Sequence, residues 1–115
     1  MKFSTVYEVK DWNNELNELK ITPIYNDDFT KEIQIILPNG KAMQDHKAPG
    51  IIVVQVLKGE IDFNLEGKTI NLKELMSIKV AANVVHNLLA KKDSLIRLTL
   101  SNNDDLKRVK SVEIF

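Results

Sequence analysis

The feature that most constrains the fold is a series of short apolar runs, each of four to seven residues and each ended by turn-forming residues. The run Lys31–Leu37 is stopped by a Pro-Asn-Gly turn at 38–40, which is a strong break signal. Pro23 lies within the run Ile21–Tyr25, which favours a strand at the edge of a sheet because proline cannot donate to a hydrogen-bond ladder. Seven to nine short strands in this pattern predict an all-β sandwich or closed barrel.

Two pairs of runs are interpreted as β-hairpins. Ile51–Leu57 and Glu60–Leu65 are separated by a two-residue Lys-Gly connector, in which glycine supplies the positive φ of a tight turn. Val84–Ala90 and Leu95–Ser101 flank a short Lys-Lys-Asp connector. In Glu60–Leu65 apolar and polar residues alternate, which is typical of a strand with one face on the core.

The two ends of the chain carry weaker patterns. Residues 3–9 alternate in the manner of a strand, and the stretch from Trp12 to Leu19 has the spacing of a short turn or helix. The charged stretch from Asn102 to Lys110 predicts one helical turn. Because no linker or low-complexity tract interrupts residues 1–115, the sequence predicts a single domain.

Composition excludes several classes of function. The chain has 16 basic and 16 acidic residues and a formal net charge of +0, whereas a nucleic-acid-binding face needs a basic excess. It has no cysteine, so disulfides, thiolate nucleophiles and cysteine-based zinc sites are absent. No run approaches the roughly 20 apolar residues of a membrane span, and the first residues lack the pattern of a secretory signal. We therefore expect a cytoplasmic protein that binds neither nucleic acid nor membrane.

The first of the two histidines stands in a distinctive frame. Gly40 is followed by five residues and then His46, and Gly59 follows a long apolar run. This spacing resembles the first motif of the cupin family of small jelly-roll barrels, which reads Gly, five residues, His, one, His, three or four, Glu, six, Gly. Ala48 and Ile52 stand where that motif has its second histidine and its glutamate.

The second histidine, His86, matches the second cupin motif, which reads Gly, five, Pro, one, Gly, two, His, three, Asn. The other positions of that motif are occupied by different residues, namely Leu75, Ala81, Asn83 and Ala90. The resemblance covers residues 40–90 in detail. It implies a cupin-like jelly roll, that is, a double-stranded β-barrel or sandwich, with a small-molecule cavity between its sheets and a homodimeric assembly.

The resemblance also implies a metal site. Cupin enzymes typically hold a divalent ion with three histidines and one glutamate, and this chain keeps His46 and His86. Alternate residues of a strand share a face, so Gln44 is expected beside His46 and could offer a carbonyl oxygen as a third ligand. The metal would be iron, manganese, nickel or zinc. In the alternative, the two imidazoles are metal-free and hydrogen-bonded to the backbone or to each other, and acid–base work without metal is a third option.

Strand parity also predicts which side chains line the cavity between the sheets. The lining is expected to be mostly aliphatic and to comprise Ala48, Ile52, Val54, Val56, Phe63, Leu88 and Leu98. Val53 and Leu57 lie on the opposite face of their strand, so that face needs a cover of its own. The N-terminal strand or the second subunit of a homodimer would provide it.

Two functions follow. The first is a small cupin-domain protein of unassigned activity that binds a small molecule, and a divalent metal through the two histidines. The second is a non-catalytic regulatory or structural cupin module with a filled, metal-free barrel. No residue pattern identifies a reaction, so the sequence leaves open whether the protein is an enzyme.

Overall fold

The chain folds almost entirely into β-strands. The computed structural model describes residues 6–7 and 18–115. Within them lie nine strands and one short helix: β1 Lys20–Asn26, β2 Lys31–Leu37, β3 Ala42–His46, β4 Ile52–Lys58, β5 Glu60–Leu65, β6 Lys68–Lys73, β7 Ser77–Val80, β8 His86–Ala90, β9 Ser94–Leu100 and α1 Leu106–Lys110. The all-β prediction is confirmed. Most of the strand predicted at 3–9, and most of the turn or helix predicted from Trp12 to Leu19, lie outside the described residues.

The strands form two antiparallel sheets. The five-stranded sheet runs β1-β2-β9-β4-β7, and the four-stranded sheet runs β3-β8-β5-β6. The consecutive strands β2 and β3, β4 and β5, β6 and β7, and β8 and β9 each pass from one sheet to the other. Two-stranded ribbons are therefore bent over a common end, which is the jelly-roll arrangement that the sequence predicts.

The two predicted hairpins are wrong. β4 pairs with β7 and β9, whereas β5 pairs with β6 and β8, so the connector at Gly59 is a corner between the sheets. Gly59 has φ +93°, and a Cβ there would lie 2.4 Å from Ser94 Oγ. Ser94 begins β9 at the neighbouring corner, where its Oγ accepts a hydrogen bond of 3.1 Å from the Glu60 amide. The Lys-Gly connector and the Lys-Lys-Asp connector thus pack against each other as corners, a role that their composition does not distinguish from a hairpin turn.

A single apolar core fills the space between the sheets. Its largest fully buried side chains include Phe63, Ile33, Leu37, Ile61, Leu72 and Ile96. Along β4 the residues Ile52, Val54 and Val56 are buried and alternate with half-buried ones, as expected for a strand with one face on the core. Among the described residues, no helix has the length and hydropathy that crossing a membrane would require.

The outer face of the five-stranded sheet is also partly covered. On β2 the outward-facing Gln34 is buried, and its Oε1 accepts a hydrogen bond of 3.2 Å from the Tyr7 hydroxyl. Val53 and Leu57 are half-buried on the same sheet. Tyr7 thus brings part of the N-terminal region onto this face, and the homodimer stays a prediction.

Candidate functional site

The two histidines meet at the end of the barrel opposite the corners at Gly59 and Ser94. His46 is the last residue of β3 and His86 is the first residue of β8, and the two are direct partners in the antiparallel register. Their ring centroids lie 4.2 Å apart, with an angle of 65° between the ring planes. His86 is 2% exposed and His46 is half-buried. The fold therefore joins two residues that are forty positions apart in the sequence.

Hydrogen bonds fix the tautomer of both rings. The Nδ1 atom of His46 lies 2.6 Å from the Gln44 carbonyl oxygen, and that of His86 lies 2.9 Å from the Val84 carbonyl oxygen. Because a carbonyl oxygen can only accept, each Nδ1 carries the hydrogen and donates it. In the neutral ring the other nitrogen, Nε2, then bears a lone pair. Each imidazole therefore presents an acceptor that is not committed to its own backbone carbonyl.

Burial keeps both rings neutral. Desolvation is the main cause that lowers the pKa of His46 to about 4. The hydrogen bond to Gln44 opposes it, and the Coulombic interactions with Arg108 and with His86, were that ring protonated, lower the pKa further. Desolvation also lowers the pKa of His86, with a smaller contribution in the same direction from Arg108. Near pH 7 the pair is consequently two imidazoles and not two imidazolium ions.

An aromatic side chain supports the second ring from behind. Phe63 on β5 is fully buried and stacks on His86, with 5.2 Å between the ring centroids and 17° between the planes. Together with the Val84 carbonyl, this contact fixes the orientation of the His86 ring.

The histidines open onto a very small cavity between the sheets. Its volume is about 20 Å³, enough for roughly one water molecule. Its lining is mostly aliphatic and consists of Ile35, Met43, His46, Ile52, Val54, His86, Leu88, Ile96, Leu98, Arg108, Val109 and Val112. Of the predicted lining residues, Ile52, Val54, Leu88 and Leu98 are on this wall, whereas Ala48, Val56 and Phe63 are buried in the adjoining core.

The expectation that Gln44 shares the inward face of His46 is wrong. Met43 is paired with Leu88 and His46 with His86, so three steps along β3 oppose two along β8. This irregularity is a β-bulge, which shifts strand parity by one residue. Gln44 instead lines an open depression outside the barrel.

The neighbouring carboxylate also points away from the cavity. Asp45 is exposed, and its Oδ1 accepts a hydrogen bond of 2.7 Å from Asn87 Nδ2 on the outer face of the four-stranded sheet. The bulge therefore does not supply the histidine pair with a carboxylate.

The C-terminal segment lies at the mouth of the cavity, and the sequence pattern does not predict it as part of the site. Val109 is 1% exposed, and with Arg108 and Val112 it completes the cavity wall. Arg108 makes a bidentate ion pair with Asp104, in which Nε donates to Oδ1 at 2.7 Å and Nη2 donates to Oδ2 at 2.6 Å. The side chain of Asp104 is fully buried. The signal in the sequence is the i,i+4 spacing of Asp104 and Arg108, which a short charged stretch does not distinguish from solvated surface.

A larger depression lies on the outer side of the same wall. It has a volume of about 270 Å³ and is open to solvent. It shares three side chains with the inner cavity, namely His46, Arg108 and Val112. Those three side chains therefore border both the inner cavity and the outer depression.

The donor set does not fit a metal held by four protein ligands. Ala48 and Ile52, at the positions of the missing cupin ligands, are buried and apolar. Over residues 6–7 and 18–115 no three His, Cys, Asp or Glu side chains are grouped so that they could hold an ion. Metal binding by His46, His86 and Gln44 stays a prediction, and no step is assigned to a metal.

Comparison with known proteins identifies the fold. No protein-family model matches the sequence, and no curated protein matches it either. The structure is similar to that of an RmlC-like cupin family protein with a double-stranded β-helix fold from Methanocaldococcus jannaschii, with a TM-score of 0.73, 22% identity, and coverage of 89% of this chain and 94% of that one.

Two further structures give the same result. One is an uncharacterised conserved protein with a double-stranded β-helix domain from Klebsiella pneumoniae, with a TM-score of 0.71, 14% identity, and coverage of 90% and 95% of the two chains. The other is a cupin superfamily protein from Desulfitobacterium hafniense, with a TM-score of 0.67, 18% identity, and coverage of 73% and 78%. At these identities the likeness concerns the fold, and the resemblance to cupins is confirmed at that level.

Proposed function

For a chain with the cupin fold, we propose a small-molecule-binding role in which the ligand is a small apolar molecule that carries a hydroxyl group. The single hydrogen of that hydroxyl is accepted by the Nε2 of His46 or by the Nε2 of His86. The observation that supports this most strongly is that both rings donate from Nδ1 to backbone carbonyls, which leaves their Nε2 atoms as acceptors beside an aliphatic cavity.

The ligand class follows from complementarity. A neutral imidazole whose hydrogen is already committed to a carbonyl can only accept, so its partner must donate. The remaining lining is aliphatic, and burying apolar ligand surface against it is favourable by about 25 cal/mol per Å². A hydroxyl on an apolar body satisfies both parts of the site, whereas an anion finds Arg108 already paired with Asp104.

A second function is favoured by the size of the cavity. About 20 Å³ is far below the roughly 150 Å³ of a protein cavity that binds benzene. If the barrel keeps this volume in solution, the chain is a regulatory or structural module with a filled core. The histidines would then be interior groups that are satisfied by the backbone and one water.

A pair of matched probes tests the first proposal. Phenol and methoxybenzene share an aromatic ring, but only phenol donates a hydrogen bond. Titration followed by amide chemical shifts should show phenol binding about three- to tenfold more tightly than methoxybenzene, as expected for one net hydrogen bond. The double variant His46→Phe, His86→Phe keeps a ring to stack on Phe63 and removes both acceptors, so it should abolish the preference. Equal affinities would contradict the acceptor role, and no binding of either probe would favour the filled barrel.

The same protein tests the metal hypothesis. Divalent iron, manganese, nickel and zinc are added one at a time, and the melting temperature is measured for the wild type, His46→Gln and His86→Gln. A bound ion stabilises the native state by RT ln(1 + [M]/Kd). Stabilisation that disappears in both variants would establish a two-histidine metal site and contradict the metal-free proposal. An equal response of all three proteins would reject the metal site.

A further inference from the structure

The C-terminal segment Asp104–Phe115, here called the C-terminal cover, fills the mouth of the barrel. Its helix α1 inserts Val109 into the core, and the side chains of Arg108 and Val112 stand between the inner cavity and the outer depression. Together with His46 they are the only side chains common to the two linings within the described residues. Moving the cover would join the inner volume of about 20 Å³ to the more open outer volume of about 270 Å³.

The cover is held together largely by bonds within itself. The ion pair of Asp104 with Arg108 joins two residues of the cover. The Asp105 carboxylate caps α1 by accepting from the Arg108 amide at 3.0 Å, and the Ser111 hydroxyl donates to the Arg108 carbonyl at 2.6 Å. Because these partners travel with the cover, its displacement does not strip the buried Asp104 carboxylate of its counter-ion.

The cover is attached to the barrel by apolar packing and by a few hydrogen bonds. Val109 lies in the core, and Leu106, Val112 and Ile114 pack against it. Three backbone hydrogen bonds run along the free edge of β3: Ala42 N–H to Phe115 O at 2.7 Å, Phe115 N–H to Ala42 O at 2.9 Å, and Gln44 N–H to Glu113 O at 2.8 Å. The Lys31 ammonium donates to the backbone of Asn102 and Asp104 at the other end. By contrast, β9 is paired along both of its edges. A segment attached at one edge opens more readily than a strand that is paired on both sides.

We propose that the C-terminal cover is a displaceable lid over the histidine pair, and that the ligand reaches the site when the lid leaves the edge of β3. This inference rests on the proposed function for the identity of the ligand, because only a ligand larger than water needs the opening. The opening itself is a property of the chain alone. It can be measured without any ligand.

A single engineered disulfide tests the lid. The chain has no cysteine, so Ala42→Cys with Phe115→Cys creates the only pair. These residues exchange both backbone hydrogen bonds, and such antiparallel partners have Cα atoms about 5.5 Å apart, within the range of a disulfide. The oxidised form locks the cover, and the reduced form of the same molecule is the control.

Native-state hydrogen exchange is measured first on both forms. In the reduced form the amide of Gln44, whose hydrogen bond to the Glu113 carbonyl is broken when the cover leaves β3, should exchange at least tenfold faster than those of β9, through an opening that leaves β9 protected. Oxidation should slow the exchange of Gln44 at least tenfold. If the Gln44 amide exchanges at the rate of β9 in the reduced form, the cover opens only with the whole protein and the lid is overturned.

Phenol titration of both forms then separates the lid from the proposed function. Binding to the reduced form that is lost or slowed at least tenfold on oxidation supports the lid. Equal binding at equal rates in both forms overturns the lid and leaves the proposed function standing. Binding to neither form, with a cover that opens in hydrogen exchange, overturns the proposed ligand and leaves the lid supported by its own measurement.

Discussion

Acidification should weaken the fold through the buried histidine pair. Burial lowers the pKa of His46 to about 4 in the native state, while the ordinary value in an unfolded chain is about 6.5. Below pH 6.5 the unfolded chain therefore binds a proton that the native state rejects. The free energy of unfolding therefore has its full value above pH 6.5 and decreases as the pH falls from 6.5 towards 4. His86 contributes in the same direction because burial also lowers its pKa.

The size of the effect follows from the separation of the two pKa values. The native pKa of about 4 and the unfolded pKa of about 6.5 differ by about 2.5, which at roughly 1.4 kcal/mol per pKa unit sets an upper limit of about 3.5 kcal/mol for His46. Because His46 is only half-buried, solvent screening reduces this, and we expect the free energy of unfolding to fall by about 2 kcal/mol between pH 7 and pH 4.5. The pKa of Glu32 is lowered chiefly by its hydrogen bond to Arg97, so its contribution is lost only at still lower pH.

Urea denaturation followed by circular dichroism at constant ionic strength measures this change. The double variant His46→Phe, His86→Phe keeps two aromatic rings and removes both titrating groups, so its free energy of unfolding should be nearly flat from pH 6.5 to 4.5. A flat profile in the wild type would refute the burial of neutral imidazoles. An unchanged slope in the double variant would assign the effect to other groups.

Three further substitutions test the packing around the site. R108A leaves the buried Asp104 carboxylate without its partner and should lower the free energy of unfolding by about 3 kcal/mol in urea denaturation. R108K should lose less stability. A loss below about 0.5 kcal/mol in R108A would show that the ion pair is dispensable. Gly59→Ala forces a Cβ into the neighbouring corner at positive φ and should lower the melting temperature by an amount equivalent to about 2 kcal/mol or more, so an unchanged melting temperature would contradict the close approach. Phe63→Ala should cost about 3–5 kcal/mol in urea and broaden the His86 ring resonances in NMR spectra, and sharp, unshifted resonances would show that the stack does not hold the ring.

Strand positions were predictable because they depend on local pattern. β2 begins and ends where the apolar run and its Pro-Asn-Gly stop place it, and Pro23 lies on the edge strand β1 as its missing donor requires. Strand partners were not predictable in the same way. The Lys-Gly connector at Gly59 fits a hairpin turn and a corner between sheets equally well. The corner forms because β4 pairs with β9 while β5 pairs with β8, and these partners are distant in the sequence.

The sequence predicts that the two histidines lie together, but it does not predict the other residues of the site. The spacing of His46 and His86 placed both on strands of one jelly roll, and the structure makes them neighbours. The position of Gln44 depends on a bulge in the pairing of β3 with β8, and the alternation of residues along a single strand does not reveal such a bulge. The part played by Arg108 depends on where a five-residue helix docks, and so short a helix has no measurable periodicity.

Nitrogen NMR of protein with ¹⁵N-labelled histidine is the most direct test of the central claim, which concerns the protonation of the two rings. At pH 7 the account predicts that His46 and His86 are both neutral, with hydrogen on Nδ1 and a bare Nε2, and that phenol perturbs the Nε2 resonances. An Nε2–H tautomer or an imidazolium at either position would contradict it, because the acceptor pair on which the ligand proposal depends would not exist.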